Sequence, residues 1–434
     1  MSDPGPRPVV IVDGVRTPFA KAGTALKDVP ARELGRIVVR ELLERTELDP
    51  ADVDEVIFGN IGQPIDATNI ARVIALSAGI PKERPAHTVQ RNCASGLEAV
   101  AEAYQKIRYG EADVIVAGGT ESMSQLPLLF SRGLAEVYAG LVTGKTLRQK
   151  AQAALRFRPR DLVPVVSLVE GLRDPICGLS MGETAELLAR EFGISREAQD
   201  AFALRSHQRA VAAQREGRLA EEIVPVFTPP DYGRAVVHDV GPRPNQTLDA
   251  LAKLPPVFDR EHGTVTAGNA CPVTDGAAAL LVMSEERARA LGYRPLGRIR
   301  SVGFAGVEPE RMGLGPALAT PVALDRAGLT LADLALVEIN EAFAAQVLAC
   351  LAAMASRAFY RERTGRDRAV GEVDPERLNV NGGAIALGHP VGTSGARLVL
   401  TLLKELARRG GGFGLATLCV GGGQGGAIVV EGLG

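Results

Sequence analysis

Two stretches far apart in the chain resemble each other. Leu48-Asp49-Pro50-Ala51-Asp52-Val53-Asp54-Glu55-Val56 has the same run of leucine, Ala-Asp pair and closing valine as Leu329-Thr330-Leu331-Ala332-Asp333-Leu334-Ala335-Leu336-Val337. The likeness continues in order. Cys93-Ala94-Ser95-Gly96 parallels Gly392-Thr393-Ser394-Gly395, each ahead of an Ala/Leu/Val-rich stretch, and Ala112 to Thr120 parallels Gly414 to Gly422. An ordered internal repeat limits the fold to two similar units stacked on one another. Halves that face each other would deliver loops from both to a single cleft.

Within each unit, short β-branched runs alternate with amphipathic Ala/Leu-rich stretches, the pattern of helices packed on mostly parallel sheets. Strands are expected at Val9–Val12, Glu55–Phe58, Asp113–Ala117, Ala279–Met283, Ala335–Ile339 and Gly414–Cys419, and helices at Ala31–Arg45, Ser95–Tyr109, Ala342–Arg357 and Ser394–Arg409. The class is α/β. Between the repeats the pattern is irregular and broken by proline, as in Thr228-Pro229-Pro230-Asp231-Tyr232 and Gly241-Pro242-Arg243-Pro244-Asn245. The expected division is therefore residues 1–122 with 255–290 as the first half, 123–254 as a loop domain, and 291–434 as the second half.

A chain of 434 residues, 46% hydrophobic and 23% charged, can bury a large core. No apolar run is long enough to span a bilayer. A net charge of −2 gives no reason to expect nucleic acid. Met1 to Pro8 lacks the basic-then-apolar pattern of a secretory signal, and five widely spaced cysteines do not suggest a disulfide framework or structural zinc; a cytoplasmic protein with free thiols is expected. The segment from Tyr138 to Arg160 has six basic residues and no acid, interleaved with Leu147, Leu155 and Phe157. A helix there could offer a cationic face to anionic lipid or a partner protein, or be a solvated surface helix.

Three groups suggest thiol-based acyl chemistry. Cys93, ahead of Ser95-Gly96-Leu97, could sit at a helix N-terminus, which favours the thiolate; the alternative is a buried cysteine serving as a small apolar residue. His389 lies between Gly388 and Pro390, surrounded by Gly382, Gly383, Gly392 and Gly395, which let backbone fold closely around a ligand. Cys419 precedes Val420-Gly421-Gly422-Gly423, whose amides could stabilise an oxyanion or form only a glycine-rich turn. Asn340, in Asn340-Glu341-Ala342-Phe343, could hold a water or cap a helix. All four stand at strand ends or helix starts, where α/β folds place their sites.

These motifs, in this order, resemble the thiolase family, which makes or cleaves 3-ketoacyl-CoA. The resemblance covers essentially the whole chain and extends to Asp13-Gly14-Val15-Arg16-Thr17-Pro18-Phe19, Gly118-Gly119-Thr120-Glu121-Ser122-Met123-Ser124, Met181-Gly182-Glu183-Thr184-Ala185-Glu186 and Gly263-Thr264-Val265-Thr266-Ala267-Gly268-Asn269. It implies a five-layered α/β/α/β/α core of two similar halves, with a loop domain over the site, in a homodimer or homotetramer. It implies Cys93 as the acylated nucleophile, His389 as its activator and Cys419 as the acid/base at the acetyl α-carbon. One oxyanion hole would comprise His389 with a water on Asn340, and the other the amides of Cys93 and Gly421. Coenzyme A would be a substrate, with no metal or tightly bound cofactor. Arg243, ahead of Thr247-Leu248-Asp249, matches the family arginine that contacts the nucleotide phosphate. Met181 and Cys271 would line the CoA site.

Three positions depart from common family patterns. Ser180 stands where short-chain biosynthetic members have histidine. Cys271 replaces a frequent serine, which puts a pantetheine contact in doubt. The stretch from Leu126 to Gly178 resembles β-subunits of fatty acid oxidation complexes, which usually carry His-Glu-Ala-Phe where this chain has Asn340-Glu341-Ala342-Phe343. The expected activity is thiolytic cleavage of 3-ketoacyl-CoA in β-oxidation, with a hydratase/dehydrogenase α-subunit and the 138–160 segment as possible sites of association. Condensation of two acetyl-CoA is the alternative chemistry, and a non-catalytic acyl-CoA-binding or scaffolding subunit the alternative class.

Overall fold

The structure, a computed structural model, describes residues 6–434; Met1–Gly5, on which part of the signal-peptide expectation rests, lie outside the described residues. Ten strands form one continuous sheet. Nine run in the spatial order Ala86–Val89, Glu55–Gly59, Val114–Glu121, Thr274–Ser284, Val9–Arg16, Gly297–Gly306, Gln424–Gly432, Gly412–Val420 and Leu334–Ile339, and the short Ala20–Lys21 pairs with the start of Thr274–Ser284. The two sides are joined by a narrow seam in which Val10 faces Arg298 and Ile11 faces Gly297.

Each side repeats one topology. In the first half, Glu55–Gly59 lies parallel to Ala86–Val89 and Val114–Glu121, followed by antiparallel Thr274–Ser284 and Val9–Arg16. In the second, Leu334–Ile339 lies parallel to Gly412–Val420, followed by antiparallel Gln424–Gly432 and Gly297–Gly306. The place of Ala86–Val89 is taken by a single parallel bridge from Val337 to Leu378. Both Leu48–Val56 and Leu329–Val337 form a short 3-10 turn before a strand, as their similarity requires. Val114–Glu121 and Thr274–Ser284 are separated by a long intervening segment, whereas Gly421–Gly423 suffice between the matching Gly412–Val420 and Gln424–Gly432.

Burial sorts the helices into layers. Ser95–Arg108 and Ser394–Arg408 pack between the two sides, where Leu97, Val100, Leu398, Val399 and Leu402 share one core with Ile11, Leu280, Leu418 and Ile428. Ala31–Thr46 and Ile70–Ser77 cover the outer face of the first half. Gly315–Ala327 and Ala344–Ala355 cover that of the second. The result is the five-layered α/β/α/β/α arrangement. The central helices approach so closely at their N-termini that a Cβ on Gly96 would come within 2.9 Å of Gly392 O, and one on Gly395 within 2.3 Å of the Leu97 amide.

Two expected helices are interrupted. Ala342–Arg357 is instead Ala344–Ala355 followed by Arg357–Thr364, because Ser356 turns extended and its Oγ caps the second helix at Phe359 N. The cationic segment 138–160 is no single helix. Arg132–Thr143 stops at Gly144, and Leu147–Ala154 begins behind a Thr146/Gln149 capping box, so the six basic residues lie on a short helix and the turns flanking it, not along one helix. Among the described residues, no helix is long and apolar enough to cross a membrane.

Candidate active site

Cys93 sits in the turn between strand Ala86–Val89 and helix Ser95–Arg108, behind Asn92, whose φ of 42° is left-handed. Such a backbone is costly for a residue other than glycine and persists only when its surroundings fix it. Here Asn92 Nδ2 donates to Gly421 O at 2.7 Å, and the Arg91 guanidinium spans Glu98 (2.6 Å) and Gln424 Oε1 (2.9 Å) while lying 4.2 Å over the Phe304 ring. The Cys93 turn of the first half is thereby bolted to the Gly421–Gly423 turn of the second. The amides of Gly421 and of Cys93 itself are directed at the sulfur.

Burial nevertheless pushes the Cys93 thiol above its ordinary value, outweighing those amides. The expected lowering by a helix N-terminus does not dominate; the helix begins two residues later, at Ser95. His389 is buried and held down to about 3, first by desolvation and then by the nearby Arg397 charge. The resting pair is a neutral thiol and a neutral imidazole.

The imidazole is fixed on both sides. His389 N donates to Thr274 Oγ1 at 3.1 Å, and Nδ1 lies 2.6 Å from Ser394 Oγ. Nε2 lies 3.4 Å from Asn340 Nδ2. Asn340 follows strand Leu334–Ile339, its amide donating to Thr417 O, and its Oδ1 is buried without a partner. An unpaired buried carbonyl is a natural anchor for a water. Asn340 is thus no helix cap.

Cys419 is buried near the end of strand Gly412–Val420. Burial and the neighbouring thiols of Cys93, Cys350 and Cys271 raise it well above the ordinary range. Cys271 is pushed up to about 12 by burial and by Cys93, and its amide donates to Ala342 O at 3.0 Å. Four thiols, Cys93, Cys271, Cys350 and Cys419, therefore lie near one another, each raised by burial and neutral at rest. Met181 is half-buried, its sulfur 3.1 Å from where a Cβ on Gly421 would stand. Ser180 instead caps helix Met181–Glu191, accepting from Glu183 N.

Arg243 is exposed on the loop domain, and its guanidinium makes no hydrogen bond or ion pair among the described residues; its amide donates to His207 Nδ1 at 3.3 Å. The loop lies close to the His389 segment, a Cβ on Gly241 coming within 2.1 Å of Ala386 O.

Several contributors carry no sequence signal for their role. Glu121, at the end of strand Val114–Glu121, accepts from Ile61 N, Gly62 N, Asn60 Nδ2 and Gly392 N at 2.9–3.1 Å, tying the His389 turn to the first half. Glu341 accepts from Ser206, Asn379 and Ile385, fixing the peptide next to Asn340 against the loop domain. Ser394 contacts the imidazole at Nδ1, and Thr274 fixes the main chain of His389. Among the described residues, no group of three His, Cys, Asp or Glu side chains is arranged to hold a metal ion.

A two-half α/β sandwich with paired thiols and an imidazole on facing turns defines an acyl-transfer class. The family description "Thiolase, N-terminal domain" matches residues 9–286, and "Thiolase, C-terminal domain" matches residues 293–432. The chain belongs to the thiolase family. It is 49% identical over 424 residues to a 3-ketoacyl-CoA thiolase of Yersinia pestis (strain Pestoides F), covering 98% of this chain and 96% of that one. Among solved structures, the Bacillus anthracis acetyl-CoA acetyltransferase superposes with a TM-score of 0.85 at 40% identity, covering 99% of this chain and 100% of that one. The human mitochondrial 3-ketoacyl-CoA thiolase in complex with CoA gives 0.84 at 39%, covering 99% and 98%.

Proposed function

We infer that the chain is an acetyl-CoA C-acyltransferase that cleaves 3-ketoacyl-CoA with CoA to give acetyl-CoA and an acyl-CoA two carbons shorter. The carrying observation is the closeness of the Cys93 and Cys419 thiols on turns from the two halves, together with a buried, neutral His389 whose Nε2 lies 3.4 Å from Asn340 Nδ2. Cys93 Sγ adds to the 3-keto carbon as its proton passes to His389 Nε2. The C2–C3 bond then breaks, and the electron pair left on the acetyl-CoA carbon takes the proton of Cys419. The thiol of CoA next attacks the acyl-Cys93 thioester, giving its proton to Cys419, and Cys93 leaves and recovers its own from His389. A covalent thioester divides a difficult transfer into two steps.

The oxyanion formed on Cys93 would be met by the amides of Cys93 and Gly421, already directed at the sulfur, and that of the acetyl-CoA enolate by His389 with a water on Asn340 Oδ1. CoA would lie along the loop domain, with Met181 and Cys271 lining its inner end and the unengaged Arg243 at the nucleotide phosphate. A second reading, condensation of two acetyl-CoA, uses the same groups in reverse and is favoured by the acetyltransferase likeness. CoA-dependent loss of 3-ketoacyl-CoA absorbance separates them. Turnover of a 3-keto-C16 substrate above that of acetoacetyl-CoA supports β-oxidation, and acetoacetyl-CoA alone supports the acetyltransferase. On acyl-CoA, Cys93→Ala is expected to show no acyl adduct by intact mass and Cys419→Ala to keep one; equal adducts in wild type and Cys93→Ala would sink the assignment.

The division into residues 1–122 with 255–290, 123–254 and 291–434, a cytoplasmic location, a homodimer or homotetramer, and association with a hydratase/dehydrogenase α-subunit belong to the same proposal. Five unpaired cysteines support the location. For segment 138–160 the proposed contact is an anionic membrane surface, since Tyr138, Val142, Leu147 and Leu155 are exposed beside the six basic residues. Flotation with phosphatidylglycerol vesicles but not with phosphatidylcholine vesicles is the expected result, lost when Lys145, Arg148 and Lys150 are replaced by glutamine; flotation unaffected by those changes would place the contact elsewhere.

A further inference from the structure

The repeated sequence places a serine as first residue of each central helix, Ser95 and Ser394, and both side chains are fully buried. In the first half the hydroxyl closes the turn ahead of the helix. Ser95 Oγ donates to Asn92 O at 2.7 Å and accepts from Arg91 N at 2.8 Å. In the second half Ser394 Oγ donates to its own preceding turn at Pro390 O, at 3.1 Å, but its other partner is His389 Nδ1 at 2.6 Å. The place held by a backbone N–H in one repeat is held by an imidazole nitrogen in the other.

From this correspondence we propose that Ser394 is a positioning residue for the acyl transfer, holding His389 as the Nδ1–H tautomer so that Nε2 is the free base facing the nucleophile. This rests on the assignment of Cys93 and His389 made above. The hydroxyl has one hydrogen. Given to Pro390 O, it leaves the Ser394 oxygen lone pairs to accept Nδ1–H. The second side of the ring is consistent with this, because a donor, Asn340 Nδ2, lies 3.4 Å from Nε2, where the Nδ1–H tautomer presents a lone pair. Thr274 Oγ1 accepts from the His389 backbone amide and donates to Pro272 O at 2.7 Å, so it fixes the main chain and leaves the tautomer to Ser394. Without the Ser394 oxygen, Nδ1–H would be buried with no acceptor, and the ring would shift toward the tautomer that carries its hydrogen on Nε2 and cannot take a proton from Cys93.

The test uses the full-length wild-type protein with 15N-labelled histidine. The chain has five histidines, so solid-state spectra of the imidazoles are simple enough to assign His389 by comparison with His389→Asn. The wild type is expected to show His389 protonated on Nδ1 and Ser394→Ala to show a mixture. Acyl-enzyme formation in Ser394→Ala should fall on the order of a hundredfold with KM for the thioester within about twofold, and Ser394→Thr, which keeps a hydroxyl, should recover most of the rate. Wild-type His389 protonated on Nε2 would overturn the proposal even if no variant folds. So would undiminished acylation by Ser394→Ala, or equal losses in the alanine and threonine variants. Wild type that forms no acyl adduct at all would instead overturn the underlying assignment of the site.

Discussion

At the scale of single residues, the site holds its reactive groups uncharged. Water is excluded from His389, and Arg397 adds a like charge, so protonation is deferred to about 3 from the ordinary 6.5. A lowered histidine keeps its base function as pH falls, until the folded value is reached. The profile of kcat/KM should therefore lack an acid limb near 6.5 and decline only where the fold itself fails; a break at 6.5 that vanishes in no His389 variant would point to another group. The same burial contributes stability that is fully present above 6.5 and is lost on acidification, since the unfolded imidazole takes up its proton first. Cys93, His389, Cys419 and Asn340 stand out in the sequence on turns at strand ends and helix starts, and the roles proposed for them and for Gly421 come from the thiolase resemblance. The raised thiol could not be read there, because it follows from burial that only the folded packing around Cys93 sets. Ser394 and Glu121 could not either: one resembles an ordinary helix start and the other the end of an apolar strand, and their partners are distant in the chain.

At the scale of elements, strand Val9–Arg16 ends in a buried ion cluster that anchors the segment carrying Glu222 and Asp239. Arg16 binds Asp239 through both terminal nitrogens at 2.6 and 2.8 Å and Glu222 through Nε at 2.6 Å, with all three residues buried. Removing the cation strands two carboxylates in a medium that cannot solvate them. Arg16→Met should cost about 3–5 kcal/mol in urea unfolding. The triple variant Arg16→Met, Glu222→Gln, Asp239→Asn should recover part of it, and a loss below about 1 kcal/mol for Arg16→Met would show that water reaches the cluster. Strands and central helices were evident from β-branched runs and amphipathic spacing. The breaks at Ser356 and Gly144 were not, since local caps decide them: Ser356 Oγ itself accepts from Phe359 N, and a Thr146/Gln149 box opens the helix after Gly144.

For the whole molecule, the repeat explains both the architecture and the contact that joins it. The paired approach of Gly96 and Gly395 lets the two central helices meet backbone to backbone beneath the catalytic turns. Gly395→Ala would drive a Cβ to within 2.3 Å of the Leu97 amide and is expected to cost about 1–3 kcal/mol and to lower acyl-enzyme formation as well; loss of stability with acylation intact would show that the turns absorb the shift.

The bolt from Asn92 and Arg91 to Gly421 and Gln424 also means that neither repeat holds the whole site. On the proposed roles, one repeat supplies the sulfur that attacks, and the other supplies the base, the second thiol and the oxyanion turn that form a proton-handling wall around it.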